Sequence, residues 1–335
     1  MKKHSILPAT FLLTGLFSFT TATNASGLNK FIENSVIEGS IEIEAGFLND
    51  YAGESSSDIA VATVELIIDS TINEKITTHI LLLHEEDETS LEVDEASISI
   101  NVDKGFNITA GQLYLPFGNY ETNMISDSLP LEFAEARETA IQLDYETGPV
   151  SSSFYIFNGD VLENGADDSI ASMGLNIAYA TDDMTIGFSY TNNLTDGDLI
   201  TDTTGTAIDA YVSGMSVYAT ASFGKTSVFV EHISAIDAFD AADLTFNATG
   251  AKPTATNLEA GFELNDAVIA VAFQASSEAV DLGLPETRLL LSYSMEIMKE
   301  TSLAFELASD SDYSVADGGS GEKASALTAQ LAIAF

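Results

Sequence analysis

From residue 36 onward the chain repeats one pattern, in which about ten residues alternate between large apolar and small or polar side chains before a break. In the first segment Ile37, Ile41 and Ile43 share one face, while Glu42 and Glu44 lie on the other. A period of two places successive side chains on opposite sides of a β-strand. The pattern predicts sixteen strands, near 36–47, 59–70, 75–84, 91–102, 106–115, 139–147, 150–158, 170–180, 184–192, 207–223, 226–235, 256–264, 267–276, 287–297, 301–309 and 324–335.

The breaks between these segments alternate strictly in length. Short breaks lie near 71–74, 103–105, 148–149, 182–183, 224–225, 265–266 and 299–300. Long breaks lie at 48–58, 85–90, 116–138, 159–169, 193–205, 236–254, 277–286 and 310–323. A soluble β-sandwich has no reason to sort its loops in this way, whereas an outer-membrane barrel has short periplasmic turns and long extracellular loops. The sequence therefore predicts an all-β fold, a transmembrane antiparallel β-barrel of about sixteen strands, with part of 207–223 lying in a loop.

The N-terminus has the three parts of a secretory signal. Lys2 and Lys3 form a charged region, 6–19 is apolar, and 23–25 is a small-residue cleavage site. An uncleaved anchor is the alternative, but the apolar run is shorter than the roughly 20 residues that a membrane span requires. We therefore predict a signal peptide at 1–25, one barrel domain at 26–335, and export to the bacterial outer membrane.

Composition excludes several classes of function. The formal net charge is −41 with only 11 Lys and Arg residues, so nothing is present to neutralise the phosphates of a nucleic acid. The chain has no Cys, which excludes disulfides, thiolate metal sites and a thiol nucleophile. Hydrophobic residues make up 45% and the mean hydropathy is +0.15, which argues against disorder. No cofactor is predicted.

Alternation in a barrel separates a lipid face from a lumen face. We expect the wet interior to receive the mid-segment carboxylates Glu42, Glu44, Glu231, Glu263 and Glu296. Because the chain has no Trp, Tyr and Phe must supply the interfacial aromatic girdles, for example Tyr155, Tyr179, Phe188, Tyr190 and Tyr293. The last segment resembles the closing strand of outer-membrane proteins, whose terminal Phe, here Phe335, is recognised by the barrel-assembly machinery.

Candidate catalytic groups are sparse. His79, His84 and His232 lie in separate strands without a matching ligand or nucleophile, so an enzyme is disfavoured. Two acidic loop runs have the hard oxygen ligands that calcium prefers, but neither has EF-hand spacing; they contain Asp196, Asp198, Asp202, Asp310, Asp312 and Asp317. We interpret both runs as solvated loop carboxylates, with divalent-cation binding as the alternative.

The longest break, 116–138, is the candidate selectivity element, because loops of this length are usually functional or disordered. A short helix is predicted to begin near Pro130, since proline suits the first helical turn. If the loop folds into the lumen its side chains line the narrowest point, and a ring of carboxylates favours cations. The alternative is an external loop that shields the mouth. The candidate constriction residues are Glu121, Asp127, Glu132, Glu135, Arg137 and Glu138.

The same region carries a family resemblance. The run GQLYLPFGNYETNMISD at 111–127, with Leu131, Glu132 and the Glu-Thr-Ala of 138–140, resembles the central block of the LbtU family of siderophore porins. The resemblance covers about a tenth of the chain. It implies an outer-membrane barrel that takes up a ferric siderophore without an N-terminal plug domain, and it supplies no ligand residues.

Net charge qualifies the expected substrate. Many carboxylate-type ferric siderophores are anionic, and an acidic mouth repels anions. Either the ligand is neutral or cationic, or the acidity reflects a saline habitat, where charges are screened within about 3 Å at 1 M salt.

The sequence therefore favours a passive siderophore-porin-type channel and leaves three alternatives open. These are a general cation-selective diffusion porin, a barrel enzyme, and an adhesin or structural barrel. The expected partners are a small solute or ferric siderophore, outer-membrane lipid and lipopolysaccharide, and the barrel-assembly machinery. A homotrimer is the oligomer under consideration, although the lipid-facing strands show no readable interface patch.

Overall fold

The computed structural model describes residues 34–86, 89–167 and 169–335, so the predicted signal peptide lies outside the described residues. The described chain is almost entirely β. Its strands are β1 Ser35–Asn49, β2 Ser55–Asn73, β3 Ile76–Glu85, β4 Thr89–Asp103, β5 Phe106–Tyr114, β6 Arg137–Thr147, β7 Val150–Phe157, β8 Leu162–Glu163, β9 Ser172–Ala180, β10 Met184–Thr191, β11 Ala207–Ile208, β12 Gly214–Phe223, β13 Thr226–Ala235, β14 Thr245–Phe246, β15 Thr249–Gly250, β16 Thr254–Leu264, β17 Ala267–Ser277, β18 Thr287–Met298, β19 Thr301–Ser311 and β20 Lys323–Ala334.

Sixteen of these strands form one closed antiparallel barrel in chain order, which confirms the predicted fold class. The four two-residue strands lie outside it: β8 pairs with β11, and β14 pairs with β15. Three short helical segments lie in the loops, namely α1 at Leu129–Ala134, α2 at Asp198–Thr204 and a 3₁₀ turn at Val315–Asp317. The helix expected near Pro130 is therefore present. The described residues contain no helix with the length and apolarity that a membrane crossing requires.

The connections are sorted by length between the two ends of the barrel. One end has turns at 74–75, 104–105, 148–149, 181–183, 224–225, 265–266 and 299–300. The other end has loops that we number L1 50–54, L2 86–88, L3 115–136, L4 158–171, L5 192–213, L6 236–253, L7 278–286 and L8 312–322. Positive φ at Gly224 (68°) and Asn265 (56°) suits the tight hairpins at the first end.

Two loops are shorter than the alternation predicted. The break expected at 48–58 shrinks to L1, because β1 and β2 pair as far as Asn49 and Ser55. The break expected at 85–90 likewise shrinks to L2. Polar residues at 55–58 and 89–90 hid these strand ends from a search for apolar alternation, since backbone pairing begins there before the apolar positions. By contrast, the segment 207–223 divides as expected: its first part belongs to L5, and the barrel strand β12 begins only at Gly214.

Side-chain exposure follows the predicted alternation. Along β18, Leu289 and Leu291 are 57% and 45% exposed on the outer face, whereas Leu290 and Ser292 are 4% and 2% exposed on the inner face. The outer face is therefore an apolar surface suited to lipid. The prediction that Tyr155 belongs to an outer aromatic girdle is wrong. Its side chain is fully buried on the inner face beside Phe157, where the loops cover the lumen.

The barrel closes between its first and last strands. β1 and β20 pair antiparallel from Ser40 opposite Ala334 to Asn49 opposite Ser325. Gly39 and Phe335 extend the seam, because each backbone N–H donates to the other residue's carbonyl oxygen at 2.9 Å. A Cβ on Gly39 would lie 2.8 Å from the Phe335 ring, so glycine leaves room for the terminal aromatic side chain.

The lipid and lumen faces predict different tolerance to charge. Leu291→Arg on the outer face of β18 should lower the free energy of unfolding by about 2–4 kcal/mol, the cost of a basic residue near the bilayer midplane. Ser294→Arg, on the inner face of the same strand, is the matched control and should cost far less. Urea unfolding in lipid vesicles measures both, and equal losses would contradict the assigned faces.

Candidate pore constriction

L3 folds into the barrel and follows the inner wall from β10 to β19. Its Gly118 N–H donates to the Ser189 hydroxyl on β10, at 3.1 Å. Further along, the N–H of Leu129 donates to Gln274 Oε1 on β17, at 3.2 Å, and Ser292 of β18 donates to the Asn123 carbonyl, at 3.0 Å. The inward alternative for this loop is therefore the one observed.

Three buried glutamates on the wall hold the L3 backbone. Glu231 of β13 accepts from the N–H groups of Asn119 (2.9 Å) and Tyr120 (2.8 Å). Glu259 of β16 accepts from the Asn123 N–H, at 2.6 Å. The third is Glu306 of β19, and the side chains of Glu231, Glu259 and Glu306 are 5%, 3% and 2% exposed.

Glu306 completes the series and shows why carboxylates occupy these positions. It accepts from the Ile125 N–H, at 2.7 Å, and from the N–H and hydroxyl of Ser126. A loop without strand partners has unsatisfied N–H groups, and burying each one without an acceptor costs about 1–3 kcal/mol. One carboxylate offers two oxygens and charge-assisted bonds, so it satisfies several donors at once.

The entry to L3 depends on a glycine. Gly118 has a φ of 87°, and a Cβ there would lie 2.7 Å from the Tyr120 ring and 2.8 Å from Glu231 Oε1. A side chain at this position would therefore strain the backbone and displace the glutamate that anchors the loop.

Helix α1 binds L3 to the other long loops. The Ser128 hydroxyl caps it by accepting from the Leu131 N–H, at 3.3 Å, and Leu129 and Phe133 are fully buried. They belong to an apolar cluster to which L4–L7 contribute Val161, Leu194, Ile200, Ile208, Val212, Phe239, Leu244, Ala251, Ala279, Leu282 and Leu284. The long loops thus cover the lumen on the side where L3 is anchored.

Arg288 of β18 joins this helix to the wall. Its guanidinium donates to Glu132 Oε1 at 2.5 Å, and to Asp310 of β19 at 3.0 and 3.3 Å. Arg288, with only 13% of its side chain exposed, offsets one of the two negative charges of Glu132 and Asp310 and is paired with both carboxylates.

The six candidate constriction residues lie in different surroundings rather than in one ring. Glu121 is exposed, Asp127 is buried, and Glu132 is paired with Arg288. Glu135 is half-buried where α1 ends. Arg137 and Glu138 are strand residues of β6, not loop residues as expected, because β6 begins two residues before the predicted segment; Arg137 binds Glu92 and Asp94 of β4, and Glu138 is 6% exposed.

Glu135 and Asp198 form an acidic contact between L3 and L5. The Asp198 N–H donates to the Glu135 carbonyl at 2.9 Å, which places the first residue of α2 against the end of α1. Burial, with nearby Asp198 and Glu85, raises the pKa of Glu135 to about 8. Asp198 itself is exposed at the start of α2.

The carboxylates of the two acidic loop runs considered for calcium accept hydrogen bonds from neighbouring loop residues. The Asp196 carboxylate accepts from the Val161 N–H, at 2.8 Å, and from Asn193, and Asp312 accepts from Ser320 at 2.6 Å. Within the described ranges, no group of three or more His, Cys, Asp and Glu side chains is arranged to hold a metal ion. The alternative of a divalent-cation site in these loops has no geometric support.

Glu259, Glu306 and Arg288 were not recognised as site residues from the sequence. The available signal was a carboxylate at an inward position in the middle of an apolar strand, as in the run LEAGFEL of β16. That signal marked Glu231 as lumenal, but it gave no indication that such side chains bind backbone N–H groups of a loop.

Comparison with known proteins gives distant relatives. No protein-family model matches the chain. A UPF0422 protein of Legionella pneumophila (strain Paris) is 25% identical over 350 residues, which cover 89% of this chain and 66% of that protein. The UPF0422 protein of Coxiella burnetii is 26% identical over 299 residues, which cover 83% of this chain and 64% of that protein. The chain spans about two thirds of the length of these relatives.

Solved structures share the architecture. The outer membrane channel DcaP of Acinetobacter baumannii superposes with a TM-score of 0.66 at 13% identity, over 90% of this chain and 97% of that one. The barrel is porin-like. OmpT of Vibrio cholerae gives a TM-score of 0.59 at 10% identity (90% and 97% covered), and a mutant of the Rh. blastica porin gives 0.56 at 12% identity (90% and 100% covered). At identities this low, the superpositions show a common fold and nothing more.

The wall anchors predict how L3 responds to their loss. Glu259→Ala should orphan the donors of Thr122 and Asn123, at about 1–3 kcal/mol for each buried group left unpaired, and loosen the loop. The expected results are easier urea unfolding and larger fluctuations of single-channel current. Glu263→Ala, on the same inner face but exposed beyond L3, is the matched control and should change neither. Similar behaviour of the two variants would show that Glu259 does not hold L3.

The L3–L5 contact should weaken as pH rises. Because the folded pKa of Glu135 is raised to about 8, the folded state binds its proton more tightly than the unfolded state; this stabilisation is present at pH 5 and is lost as pH rises towards 8. Spin labels at Leu131→Cys and Thr203→Cys can report the separation of α1 and α2, since the chain has no other Cys. We expect a broader distance distribution at pH 9 than at pH 5, and Glu135→Gln should remove the difference. A distance independent of pH would contradict this assignment.

Proposed function

We propose that the protein is an outer-membrane channel for passive diffusion of small solutes, through a lumen narrowed by L3. The observation that carries the proposal is the placement of L3, which lies inside a closed sixteen-stranded barrel and is anchored along β10–β19. An anchored internal loop narrows a barrel on one side without filling the other. The porin-like fold of DcaP, an outer membrane channel, supports this proposal.

Orientation follows from the loops. Long loops lie outside and short turns lie in the periplasm in outer-membrane barrels, which would place L1, L2 and L4–L8 at the cell surface, with L3 entering the lumen from that side. The proposal includes export through the predicted signal at 1–25, contact of the apolar outer face with lipid and lipopolysaccharide, and recognition of the Phe335 strand by the barrel-assembly machinery. A homotrimer remains a hypothesis for the assembly.

The proposed constriction retains the six predicted residues in unequal roles. On the L3 side, the exposed carboxylate of Glu121 and the half-buried carboxylate of Glu135 line the proposed passage. Glu132 and Arg137 are engaged in ion pairs with Arg288 and with β4, so they mainly position the loop. The excess of acidic over basic residues, 52 against 11, favours cations over anions.

A ferric siderophore is the preferred specific solute of this channel. The run at 111–127 that resembles the LbtU siderophore porins is the run whose backbone the wall glutamates hold, so the resemblance falls on the segment that shapes the lumen. The acidic lumen argues for a neutral or cationic complex. The alternative is a general cation-selective porin without siderophore specificity.

Catalysis is not part of the proposal. His79 binds Asp69 at 2.8 Å, His84 binds the Thr89 carbonyl at 2.9 Å, and His232 binds Thr256 at 2.8 Å. These three histidines lie on β3 and β13 and are not grouped around one nucleophile, which supports a channel rather than a hydrolase.

Planar-bilayer recording tests the function. We expect discrete single-channel conductance, a reversal potential on the cation-selective side in a KCl gradient, and partial blockade by a neutral or cationic ferric siderophore. A cation current indifferent to the siderophore would favour the general porin. Absence of conductance from correctly folded protein would overturn the channel proposal, and iron-free siderophore is the matched control for blockade.

A further inference from the structure

The two halves of the inner wall use their carboxylates differently. On β13, β16 and β19 the inward glutamates accept backbone N–H groups of L3 and are at most 5% exposed. On β20 and β1–β4, outside the part of the wall to which L3 is anchored, the inward glutamates Glu42, Glu44, Glu65 and Glu95 are half-buried and keep partial access to water. The side chain of Glu95, for example, is 23% exposed.

Neutral donors hold three of these glutamates. Gln330 Nε2 of β20 donates to both Glu42 and Glu44 of β1, at 3.2 and 3.0 Å. The Ser40 hydroxyl donates to Glu65 of β2, at 2.9 Å. An amide or a hydroxyl orients a carboxylate without adding a positive charge, whereas Arg288 offsets part of the charge of Glu132 and Asp310 on the other half.

Strand register spreads these groups along the wall. Glu42 lies opposite Thr63, Ser40 lies opposite Glu65, and Leu81 of β3 lies opposite Glu95 of β4. Glu42 and Glu44 share one strand face and are therefore about 7 Å apart along the strand. That spacing is shorter than the Debye length of about 8 Å at physiological salt, so the field of one carboxylate overlaps that of the next.

Two basic side chains lie near the β4 end of this wall: His79, and Arg137, which forms ion pairs with Glu92 and Asp94. His79 Nε2 lies 3.9 Å from Glu95, and its Nδ1 lies 2.8 Å from Asp69 on β2. The four carboxylates of Asp69, Glu92, Asp94 and Glu95 outnumber the imidazole and the guanidinium, so this end of the wall stays negative whether or not His79 is protonated.

We infer that Glu42, Glu44, Glu65 and Glu95, on the part of the wall to which L3 is not anchored, set the cation selectivity of the lumen. The inference rests on the proposed channel function and adds to it the side of the lumen that cations follow. A partly dehydrated monovalent or small organic cation moves from one wall carboxylate to the next, while anions are repelled along the same path. The anchored glutamates on the L3 side shape the passage but do not contact the solute, because the loop backbone covers them.

Reversal potentials of matched double variants test the inference. Glu42→Gln/Glu44→Gln removes two wall charges and keeps the size and hydrogen-bonding capacity of both side chains. Glu54→Gln/Glu322→Gln removes two charges from exposed loop positions in L1 and L8. In KCl gradients near 1 M, outer charges are screened within about 3 Å, so lumenal charges dominate the measurement.

The expected result is a several-fold fall in the cation-to-anion permeability ratio for the wall variant, with its reversal potential moving towards zero, and no change for the loop variant. Glu65→Gln/Glu95→Gln provides a second wall pair should the first fail to assemble. Conductance with unchanged selectivity in a wall pair would overturn the inference and leave the channel proposal intact. A silent wild-type protein would overturn the channel proposal, and the inference with it.

Discussion

The structure depends on one constraint: a loop inside a barrel must find acceptors for its backbone N–H groups. L3 has no strand partner between its entry and α1, so its donors bind the carboxylates of Glu231, Glu259 and Glu306. A buried carboxylate is costly when isolated and favourable when several donors surround it. These hydrogen bonds between the L3 backbone and the buried carboxylates fix the position of L3. The packing of the other long loops on α1 and the shape of the lumen follow from that position.

The same hydrogen bonds make the two sides of the lumen wall different in the partners of their carboxylates. Carboxylates beneath L3 are occupied by the loop, and Arg288 engages Glu132 and Asp310 at its edge. The wall of β20 and β1–β4 carries carboxylates of the same type with amide, hydroxyl and imidazole partners and, on β4, with Arg137. A protein with 52 acidic residues thus assigns chemically identical side chains to two roles, structural support and the charge of the passage.

The barrel persists at very low sequence identity because its requirements are simple. DcaP shares 13% of aligned residues and still gives a TM-score of 0.66. Outward-facing side chains need only be apolar, and inward-facing positions accept a wider range of residue types. Backbone hydrogen bonds between neighbouring strands do not depend on the side chains. Loops and lumen residues therefore diverge while strand number and order are retained, and likeness of fold leaves the solute undetermined.

The sequence alone determined the barrel, the strand count and the sorting of the connections, because alternation and turn residues are local signals. It placed L1 and L2 poorly, since pairing there continues through polar residues, and it put Tyr155 on the wrong face. Only the tertiary structure decided which wall residues hold L3. Glu231, Glu259 and Glu306 lie 112, 137 and 181 residues from the loop groups they bind. Alternation shows that a side chain points inward, but the closure of the barrel decides what it meets there.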